Sequence, residues 1–360
     1  MFDDTHYVPI LKSRAAEYDA LEAEGRSTEL LGLTPLIELT PIPAQFIENQ
    51  PVHSVDAHVL SVERNLLRAW GTERRVFVDM CWLSGKARTA DGLHPMRFLL
   101  ESGRAAELRI VPVVGLACDG EYREAARDGH NDQGACLRLL SADLVRADAE
   151  DAVGELLDQL GLARRDVDLV VDLKALNADA VDFNVIGALG ILSQVPDVGS
   201  WRSFTLAAGA FPENLSEMSP ASEQRFARAE WTVWQQLRGR QLDRRPTFAD
   251  YAIAHPEPAA EMDPRLMRIS AQLRYTCQDD WLIFKERNIR DHGNEQFIDI
   301  CKKLVERPEY AGPDFSWGDK YIAERADGTD ARPGNPRIWR KVGTSHHLAM
   351  VLSQIASLGA

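Results

Sequence analysis

Residues 75–80, with the sequence RVFVDM, form a short apolar run that is rich in β-branched residues and carries an acid near its end. Seven further apolar runs follow the same plan, and most of them have a charged residue at or near the end: residues 7–12, 35–40, 108–116, 136–141, 168–174, 203–208 and 247–253. Buried parallel strands are nearly continuous apolar runs. A charge at the end of such a run therefore marks where the strand leaves the core.

Segments rich in helix formers lie between these runs. They are predicted at residues 14–24, 56–70, 95–106, 121–128, 148–160, 182–194 and 222–237. Strands that alternate with helices of this length need right-handed crossovers and a parallel sheet. Eight such units predict a (β/α)8 barrel over residues 1–255. The alternative is an open doubly wound α/β sheet, which is weakened because no GxGxxG motif follows any strand.

Residues 256–360 carry a different pattern and predict an α+β extension packed on the barrel. Two strand-like runs separated by four residues indicate an antiparallel hairpin over residues 266–275 and 280–287. After the hairpin in the sequence, we predict a helix at residues 295–305, a long Gly- and Pro-rich loop at 308–336 and a terminal helix at 345–358. Ser345 is the expected N-cap of the terminal helix.

The composition limits the class of protein. The 360 residues are 45% hydrophobic, which is ordinary for a globular chain. A net charge of −14 argues against general nucleic-acid binding, although the basic stretch at residues 332–341 leaves room for a specific anionic ligand. Five cysteines without a CxxC pair indicate neither a disulfide framework nor a zinc ribbon. With no secretory leader and no membrane-length apolar stretch, we expect a cytoplasmic protein without membrane contacts.

Four carboxylates come from four different predicted strands: Glu38, Asp79, Asp172 and Asp250. In barrel enzymes the carboxyl ends of the strands form the edge where ligands bind. If the four converge there, their oxygens suit Mg²⁺ or Mn²⁺, which could polarise a phosphoryl or carbonyl oxygen. The alternative is a set of structural ion pairs with Lys12, Arg138 and Lys174 across the barrel mouth.

Cationic side chains supply the remaining candidates. Lys12 and Lys174 are candidates for a catalytic base or Schiff-base amine, although the many acids nearby favour anchoring of an anion instead. Arginines suit bidentate contacts with phosphate or carboxylate. The substrate-binding residues that we predict are Arg138, Tyr251, Arg274, Lys285 and Arg340. For any single arginine the alternative is a surface or interdomain contact.

Two adjacent histidines, His346 and His347, stand at the predicted start of the terminal helix. Neighbouring residues on a helix point about 100° apart, so the pair cannot easily ligate one metal. One histidine could act as a catalytic general acid or base while the other packs. Alternatively the amides of the helix start hold an anion beside Arg340, or the two histidines only cap and pack.

Several of these segments are similar to one known family. YVPILKSRAAEYDAL at residues 7–21, followed by PLIEL at 35–39, resembles the phage-associated beta protein family. Further similarity lies in FADYAI, RISAQLRYTCQDDWLIFKER and WRKVGTSHHL, at residues 248–253, 268–287 and 339–348. The resemblance implies a phage, prophage or phage-defence context, and it carries over no catalytic residues. The chain departs from the family pattern at residues 14–17, RAAE, where a Gly often precedes the Glu.

Two classes of function follow from these features. The first is a barrel enzyme that acts on a small anionic, phosphate- or nucleotide-like substrate with a divalent metal, in a pocket at the strand ends. The second is a non-catalytic recognition module that binds a phage or host protein. It predicts a mouth closed by ion pairs and an exposed apolar patch on the tail. The number of charges at the strand ends favours the first class, and the sequence leaves the oligomeric state open.

Overall fold

Eight parallel strands close into a barrel in the computed structural model, which describes residues 2–25, 32–43, 53–257 and 268–358. The barrel strands are β1 (Tyr7–Lys12), β2 (Leu36–Glu38), β3 (Arg75–Asp79), β4 (Arg109–Val114), β5 (Ala135–Leu140), β6 (Val167–Ala175), β7 (Ser203–Gly209) and β9 (Thr247–Asp250). The barrel closes where β9 pairs with β1, with Tyr7 opposite Phe248. The predicted (β/α)8 barrel is thereby confirmed, and the open sheet is excluded.

Both faces of the barrel strands are buried, which explains their continuous apolar sequences. On β3, Phe77 points into the barrel interior, whereas Val76 and Val78 face the surrounding helices. On β1, Val8 and Ile10 also point inward. Complete burial of a side chain of this size contributes roughly 1.5–3 kcal/mol. Period-two alternation thus determines which residues reach the barrel axis.

Twelve helices occur in the described ranges. They are α1 (Ala15–Glu24), α2 (Val55–Ala69), α3 (Pro95–Ala105), α4 (Gly120–Gly129), α5 (Ser141–Leu144), α6 (Ala149–Leu160), α7 (Val181–Leu192), α8 (Ala229–Arg238), α9 (Ile289–His292), α10 (Gln296–Val305), α11 (Trp317–Ala326) and α12 (Pro336–Leu358). Local signals set several starts: the Ser54 side chain caps α2, and Pro95 occupies the first turn of α3. None of these helices combines the length and the apolar character needed to cross a bilayer.

A second, three-stranded sheet forms the core of the extension. The strands β10 (Ser270–Thr276) and β11 (Asp280–Asn288) make the predicted antiparallel hairpin, and β8 (Ser222–Ala227) pairs with the other edge of β11. Residues 266 and 267 of the predicted first strand lie outside the described residues. The prediction that 222–227 begin a helix is wrong, because these polar residues pair with a strand that lies far along the chain. The helix starts only at Ala229.

The C-terminal helices also differ from the sequence predictions. The predicted loop at residues 308–336 contains α11, whose N-cap Ser316 accepts the N–H of Asp319. The terminal helix begins at Pro336 rather than Ser345, because Pro fits the first helical turn and the Asn335 side chain accepts the N–H of Ile338. Ser345 is instead buried within α12, where its hydroxyl donates to the Glu24 carboxylate.

The helix α12 returns to the barrel and packs against α1 and β1. Its apolar residues Leu348, Val351 and Ile355 join the layer of side chains that covers the outer face of the strands. It therefore takes the position of the helix that follows the last barrel strand. Both β8 and α12 make contacts across residue 255, so the domain boundary there stays a prediction.

Candidate functional site

Arg138, on β5, lies at the carboxyl end of the barrel and uses all of its N–H groups in one buried network. Nη1 donates to Glu38 Oε1 and to Asp79 Oδ2, each at 2.7 Å. Nε and Nη2 donate to Asp172 Oδ2 at 3.0 and 2.7 Å, and Nη2 also donates to the Tyr251 hydroxyl at 2.7 Å. A guanidinium has five N–H donors, so none is left for a substrate. Arg138 organises the mouth, and the predicted substrate roles of Arg138 and Tyr251 stay predictions.

These side chains converge because they occupy inward positions of their strands. Glu38 and Asp79 lie two residues beyond Leu36 and Phe77, which point into the barrel. The same spacing relates Arg138 to Cys136, and the remaining pairs are Lys12 with Ile10, Asp172 with Val170 and Tyr251 with Ala249. Parallel strands end at the same edge, so one inward step past the apolar layer places each polar group at the mouth.

Opposite charges compensate one another in this network. The Lys12 amine donates to Glu38 and, at 2.8 Å, to the carbonyl oxygen of Pro256. Burial alone would raise the pKa of Glu38, but Arg138, Lys12 and Lys174 together hold it below its ordinary value. The pKa of Asp172 is likewise lowered, because the attraction of Arg138 and Lys174 outweighs burial. Lys174 is the loosest member, since Nζ lies 3.5 Å from Asp172 Oδ2 and the side chain is 23% exposed.

Three of the acids at strand ends also build the turns that follow. Each accepts, through one carboxylate oxygen, the N–H of the residue two positions later: Cys81 on Asp79 at 2.8 Å, Lys174 on Asp172 at 2.8 Å, and Ala252 on Asp250 at 3.0 Å. This turn is a known use of aspartate. The strand-end acids detected in the sequence thus have an architectural role as well as a place at the mouth.

A cavity of about 250 Å³ opens beside the network. Its polar lining includes Asp79, Cys81, His94, Arg138, Asp143 and Lys174. Burial lowers the pKa of His94, and its Nδ1 accepts the N–H of Met96 at 3.1 Å. A neutral ring with an accepting Nδ1 carries its proton on Nε2. His94 was not among the predicted site residues, although its place before Pro95 at a helix start was a usable signal.

Two aromatic rings flank the lysines of the mouth. The Nζ atom of Lys12 lies 5.4 Å from the ring centroid of Trp82 and 5.3 Å from that of Tyr251. For Lys174 the corresponding distances are 5.4 and 5.7 Å. Both amines therefore lie within cation–π range of both rings. The indole N–H of Trp82 is buried and has no acceptor in the described part of the chain.

The donor set fits a divalent metal poorly. Glu38, Asp79 and Cys81 bring ligand atoms within 4.8 Å of one another. The Glu38 oxygens, however, already accept from Lys12 and Arg138. Desolvation and the nearby Asp79 and Glu38 carboxylates raise the pKa of the Cys81 thiol. A metal would have to displace a cation of the network, and the Mg²⁺ or Mn²⁺ site stays a prediction.

Asp250 does not join the other three carboxylates. It follows Phe248 on the outward face of β9, accepts from the Tyr7 hydroxyl at 2.5 Å, and lies 2.9 Å from His347 Nε2. His347 Nδ1 contacts the Thr276 hydroxyl at 2.9 Å. This cluster connects α12 to the outside of the barrel, away from the mouth.

The two histidines lie within α12, and the prediction that they begin this helix is wrong. His346 Nδ1 lies 2.8 Å from Asp319 Oδ2, and Nε2 lies 2.7 Å from the carbonyl oxygen of Thr276. His346 and His347 are fully buried, and both nitrogens of each ring are hydrogen-bonded within the protein. Neither lines the cavity beside Lys174. Their catalytic role stays a prediction, with the geometry favouring a packing role.

The other three predicted substrate contacts lie elsewhere. Lys285 and Arg340 line a second cleft, between α1, the start of α12 and the small sheet, and Arg274 lines a pocket that adjoins it. The structure therefore divides the predicted substrate-binding residues between two places. The sequence could not show this division, because it depends on how the extension docks.

The fold and the mouth define the class of protein: a (β/α)8-barrel protein with an α+β extension and a buried ion-pair network at the strand ends. The model of the Beta protein family matches residues 7–353, nearly the whole chain. The chain belongs to this family, which confirms the resemblance of its opening and closing segments. A comparison with curated proteins finds no match.

Proposed function

We propose that the chain is a barrel enzyme that binds a small anionic substrate at the strand ends, with Lys174 as the anion anchor. The observation that carries this proposal is the conformation of Lys174, which has a φ of 58° at the edge of the cavity. A left-handed residue other than Gly costs on the order of 1–3 kcal/mol and persists only where its surroundings impose it. Six other described non-Gly residues also have a positive φ, and Lys174 differs from them because it lines the cavity.

The charge distribution supports the same residue. Glu38, Asp79 and Asp172 face three cations, but the Lys12 and Arg138 side chains are only 4% and 5% exposed and bond directly to carboxylates. Lys174 has the greater exposure and the longer ion-pair distance. Two unit charges 4 Å apart near a protein surface interact by about 4 kcal/mol. A substrate anion in the cavity can therefore compete with Asp172 for the Lys174 amine.

His94 supplies a hydrogen-bond donor to the same cavity. Its Nε2 has no hydrogen-bond partner in the described part of the chain, and the neutral ring carries its proton on this atom, so it can donate a hydrogen bond to a substrate anion. The cavity volume lies below the roughly 300–1,000 Å³ of sites for drug-sized ligands. We therefore infer a small metabolite with a phosphate or carboxylate group that lies between Lys174 and His94.

The family supplies a biological setting for the proposal. The resemblance of the chain's segments to the phage-associated beta protein family supports action in a phage, prophage or phage-defence context; the family model itself matches residues 7–353. Under this proposal the substrate is a metabolite of the infected or prophage-carrying cell. A divalent metal is not required for the anchoring step, because Lys174 supplies the positive charge.

A panel of small anions tests the proposal by thermal melting. Phosphate, pyrophosphate, phosphorylated sugars, and mono- and dicarboxylates are each added to the wild-type chain. We expect at least one anion to raise the melting temperature, the effect to disappear in Lys174→Met, and NMR to detect turnover of that compound. Lys86→Met removes an exposed lysine that does not line the cavity and serves as the matched control. A response that survives in Lys174→Met would refute the proposal.

A second candidate function is recognition of a phage or host protein. It is favoured by the buried ion pairs at the mouth and by the exposed side chains of α7. Phe183 and Ile186 are 75% and 68% exposed, whereas Val185 and Ala188 on the same helix are buried. Large exposed apolar residues on one helix face are typical of contact surfaces. In this case Phe183→Ser with Ile186→Ser would remove the effect of the protein in a phage-plating assay, and Lys174→Met would not.

A further inference from the structure

A second anion site, separate from the Lys174 cavity, lies in the cleft between α1, the start of α12 and the small sheet. We propose that this cleft binds a nucleoside di- or triphosphate, with the phosphates held by arginines and the base in the adjoining apolar pocket. The proposal goes beyond the enzyme function above, because it concerns different residues and a different ligand.

The cleft is lined by cations. Its volume is about 650 Å³, and its charged lining residues are Arg14, Arg268, Lys285, Arg337 and Arg340. Among the described lining residues there is no Asp or Glu. The whole chain carries a net charge of −14, so this surface is opposite in sign to the average surface of the protein. Such a local concentration of one charge attracts and orients a small anion.

Most of these cations lack a compensating carboxylate. The side chains of Arg14 and Arg268 form no ion pair or hydrogen bond in the described part of the chain, and Arg14 is attracted only at longer range, by the Glu17 carboxylate. Arg340 approaches only Glu17, with 3.9 Å between Nη1 and Oε1. Burial raises the pKa of Glu17, which weakens its hold on a positive charge. Arg337, by contrast, pairs with Asp19 and is largely satisfied.

Repulsion among the arginines favours an added anion. Burial, together with the positive charges of Arg340 and Arg14, lowers the pKa of Arg274 to about 9. The pKa of Arg340 is also lowered, first by burial and then by Arg14, against the opposing attraction of Glu17. Like charges held together in this way gain stability when an anion lies between them. Arginine side chains are suited to phosphate because they donate two parallel N–H bonds.

Backbone groups add to the same field. The helix α1 begins at Ala15 without a side-chain cap, so its first N–H groups seek another acceptor. Ala15 and Ala16 both line the cleft, as does Pro336 in the first turn of α12. The positive ends of two helix dipoles therefore meet the cationic side chains, an arrangement that binds phosphate groups.

The adjoining pocket supplies a place for a base. It has a volume of about 130 Å³ and shares Gln272 and Arg340 with the cleft. Its wall contains Ile253, Phe297 and Trp339 beside the Arg274 side chain, and the rings of Phe297 and Trp339 stack with their centroids 4.7 Å apart. An apolar aromatic wall with an amide at its edge suits a flat heterocycle with hydrogen-bonding groups. The combination of this pocket with a multi-cation cleft identifies a nucleotide rather than inorganic phosphate alone.

Isothermal titration of the full chain with ATP, without added Mg²⁺, tests this proposal. We expect ATP to bind more tightly than ADP, ADP more tightly than AMP, and adenosine alone to bind least. Arg340→Gln and Arg268→Gln should each weaken ATP binding at least tenfold. Arg240→Gln removes an exposed arginine away from the cleft and is the matched control. Arg268 is exposed and its side chain makes no hydrogen bond or ion pair in the described part of the chain, so its substitution tests binding without endangering the fold.

Several outcomes would overturn the proposal. One is the absence of ATP binding by the folded wild-type chain, and another is unchanged affinity in Arg268→Gln and Arg340→Gln. Equal affinity for tripolyphosphate and ATP would show that the adjoining pocket does not bind the base. Lys174→Met should retain ATP binding. Loss of ATP binding in Lys174→Met would place the nucleotide at the barrel mouth and overturn the proposal. If no small anion binds at Lys174, the measurement of ATP binding in the cleft is unaffected.

Discussion

The backbone N–H of Lys174 donates to Oδ1 of Asp172 at 2.8 Å, and this bond accompanies the left-handed conformation of the lysine. The other oxygen of Asp172 accepts from Arg138. One carboxylate therefore shapes the turn after β6 and also anchors the ion-pair network. The strained lysine is supported by the same group that holds the mouth together, so its amine is positioned at the cavity edge.

Substitution of Lys174 separates backbone strain from side-chain function. Lys174→Gly should be more stable than Lys174→Ala by roughly 1 kcal/mol, because only Gly adopts a positive φ without steric strain. Urea unfolding of the two variants measures the difference. Lys302 is an exposed helical position in α10. There the Gly variant should be less stable than the Ala variant, since Gly disfavours a helix interior. Equal stabilities of Lys174→Gly and Lys174→Ala would contradict backbone strain at this position.

Removal of Arg138 should destabilise the chain strongly. Arg138→Met leaves Glu38, Asp79 and Asp172 without their shared partner, and loss of one member of a buried ion pair costs about 3–5 kcal/mol. Urea unfolding at pH 7 checks this value. Arg138→Lys should recover only part of the loss, because an amine cannot make five divergent hydrogen bonds. A loss of unfolding free energy below about 1 kcal/mol is typical of an exposed ion pair and would contradict a buried network around Arg138.

The cost of Arg138→Met should depend on pH. The pKa values of Glu38 and Asp172 are lowered in the folded wild-type chain, so their contribution to stability is present above about pH 4 and is lost as the pH falls further. Without Arg138, burial should raise these pKa values. Protonation of the carboxylates at low pH then removes the uncompensated buried charge of the variant. The stability gap should therefore narrow as the pH falls from 7 to 4. If unfolding curves give the same stability difference between the wild-type chain and Arg138→Met at every pH, Arg138 does not lower the pKa values of these carboxylates.

Glu230 should make stability decrease as the pH rises from about 4 to 8. Burial raises its pKa to about 8 despite the nearby Arg228, whose Nε lies 3.6 Å from Oε1. Neither carboxylate oxygen of Glu230 has a hydrogen-bond partner in the described residues. A raised folded-state pKa gives stability that is complete below about pH 4 and is lost as the pH rises through 8.

The variant Glu230→Gln lacks this titration. It should gain stability relative to the wild-type chain between pH 5 and pH 8, by on the order of 2–4 kcal/mol, because one pKa unit corresponds to about 1.4 kcal/mol. Unfolding by urea at pH 5, 6.5 and 8 measures the trend. Glu150→Gln changes an exposed glutamate and should give a curve parallel to the wild type. Parallel curves for both variants would rule out a raised pKa at position 230.

Divalent cations test the metal site at the mouth. Because Lys12 and Arg138 already occupy the carboxylate oxygens, we expect millimolar Mg²⁺ or Mn²⁺ to leave the melting temperature unchanged. The control is the double variant Asp79→Asn, Asp172→Asn. Stabilisation of the wild-type chain by Mn²⁺ that is absent from this variant would establish a metal site and contradict our expectation.

Much of the fold could be predicted from the sequence because its signals are local. The apolar runs predicted the barrel strands, and inward spacing predicted that Glu38, Asp79 and Asp172 reach one edge. The strand β8 could not be predicted, because its polar sequence pairs with β11, which lies far along the chain. The helix α11 had a local signal, the Ser316 cap, that the abundance of Gly and Pro around it obscured.

Residue patterns along the chain were sufficient to determine the closed parallel barrel and the charges at its strand ends, since burial on both strand faces demands continuous apolar runs. Only the tertiary structure decided that Asp250 points outward to His347 while the next residue, Tyr251, points to Arg138. One step along a strand reverses the side-chain direction. Only the docking of the extension brought Arg14, Arg268 and Arg340 to one cleft, because contacts between distant segments are not recorded in any local pattern.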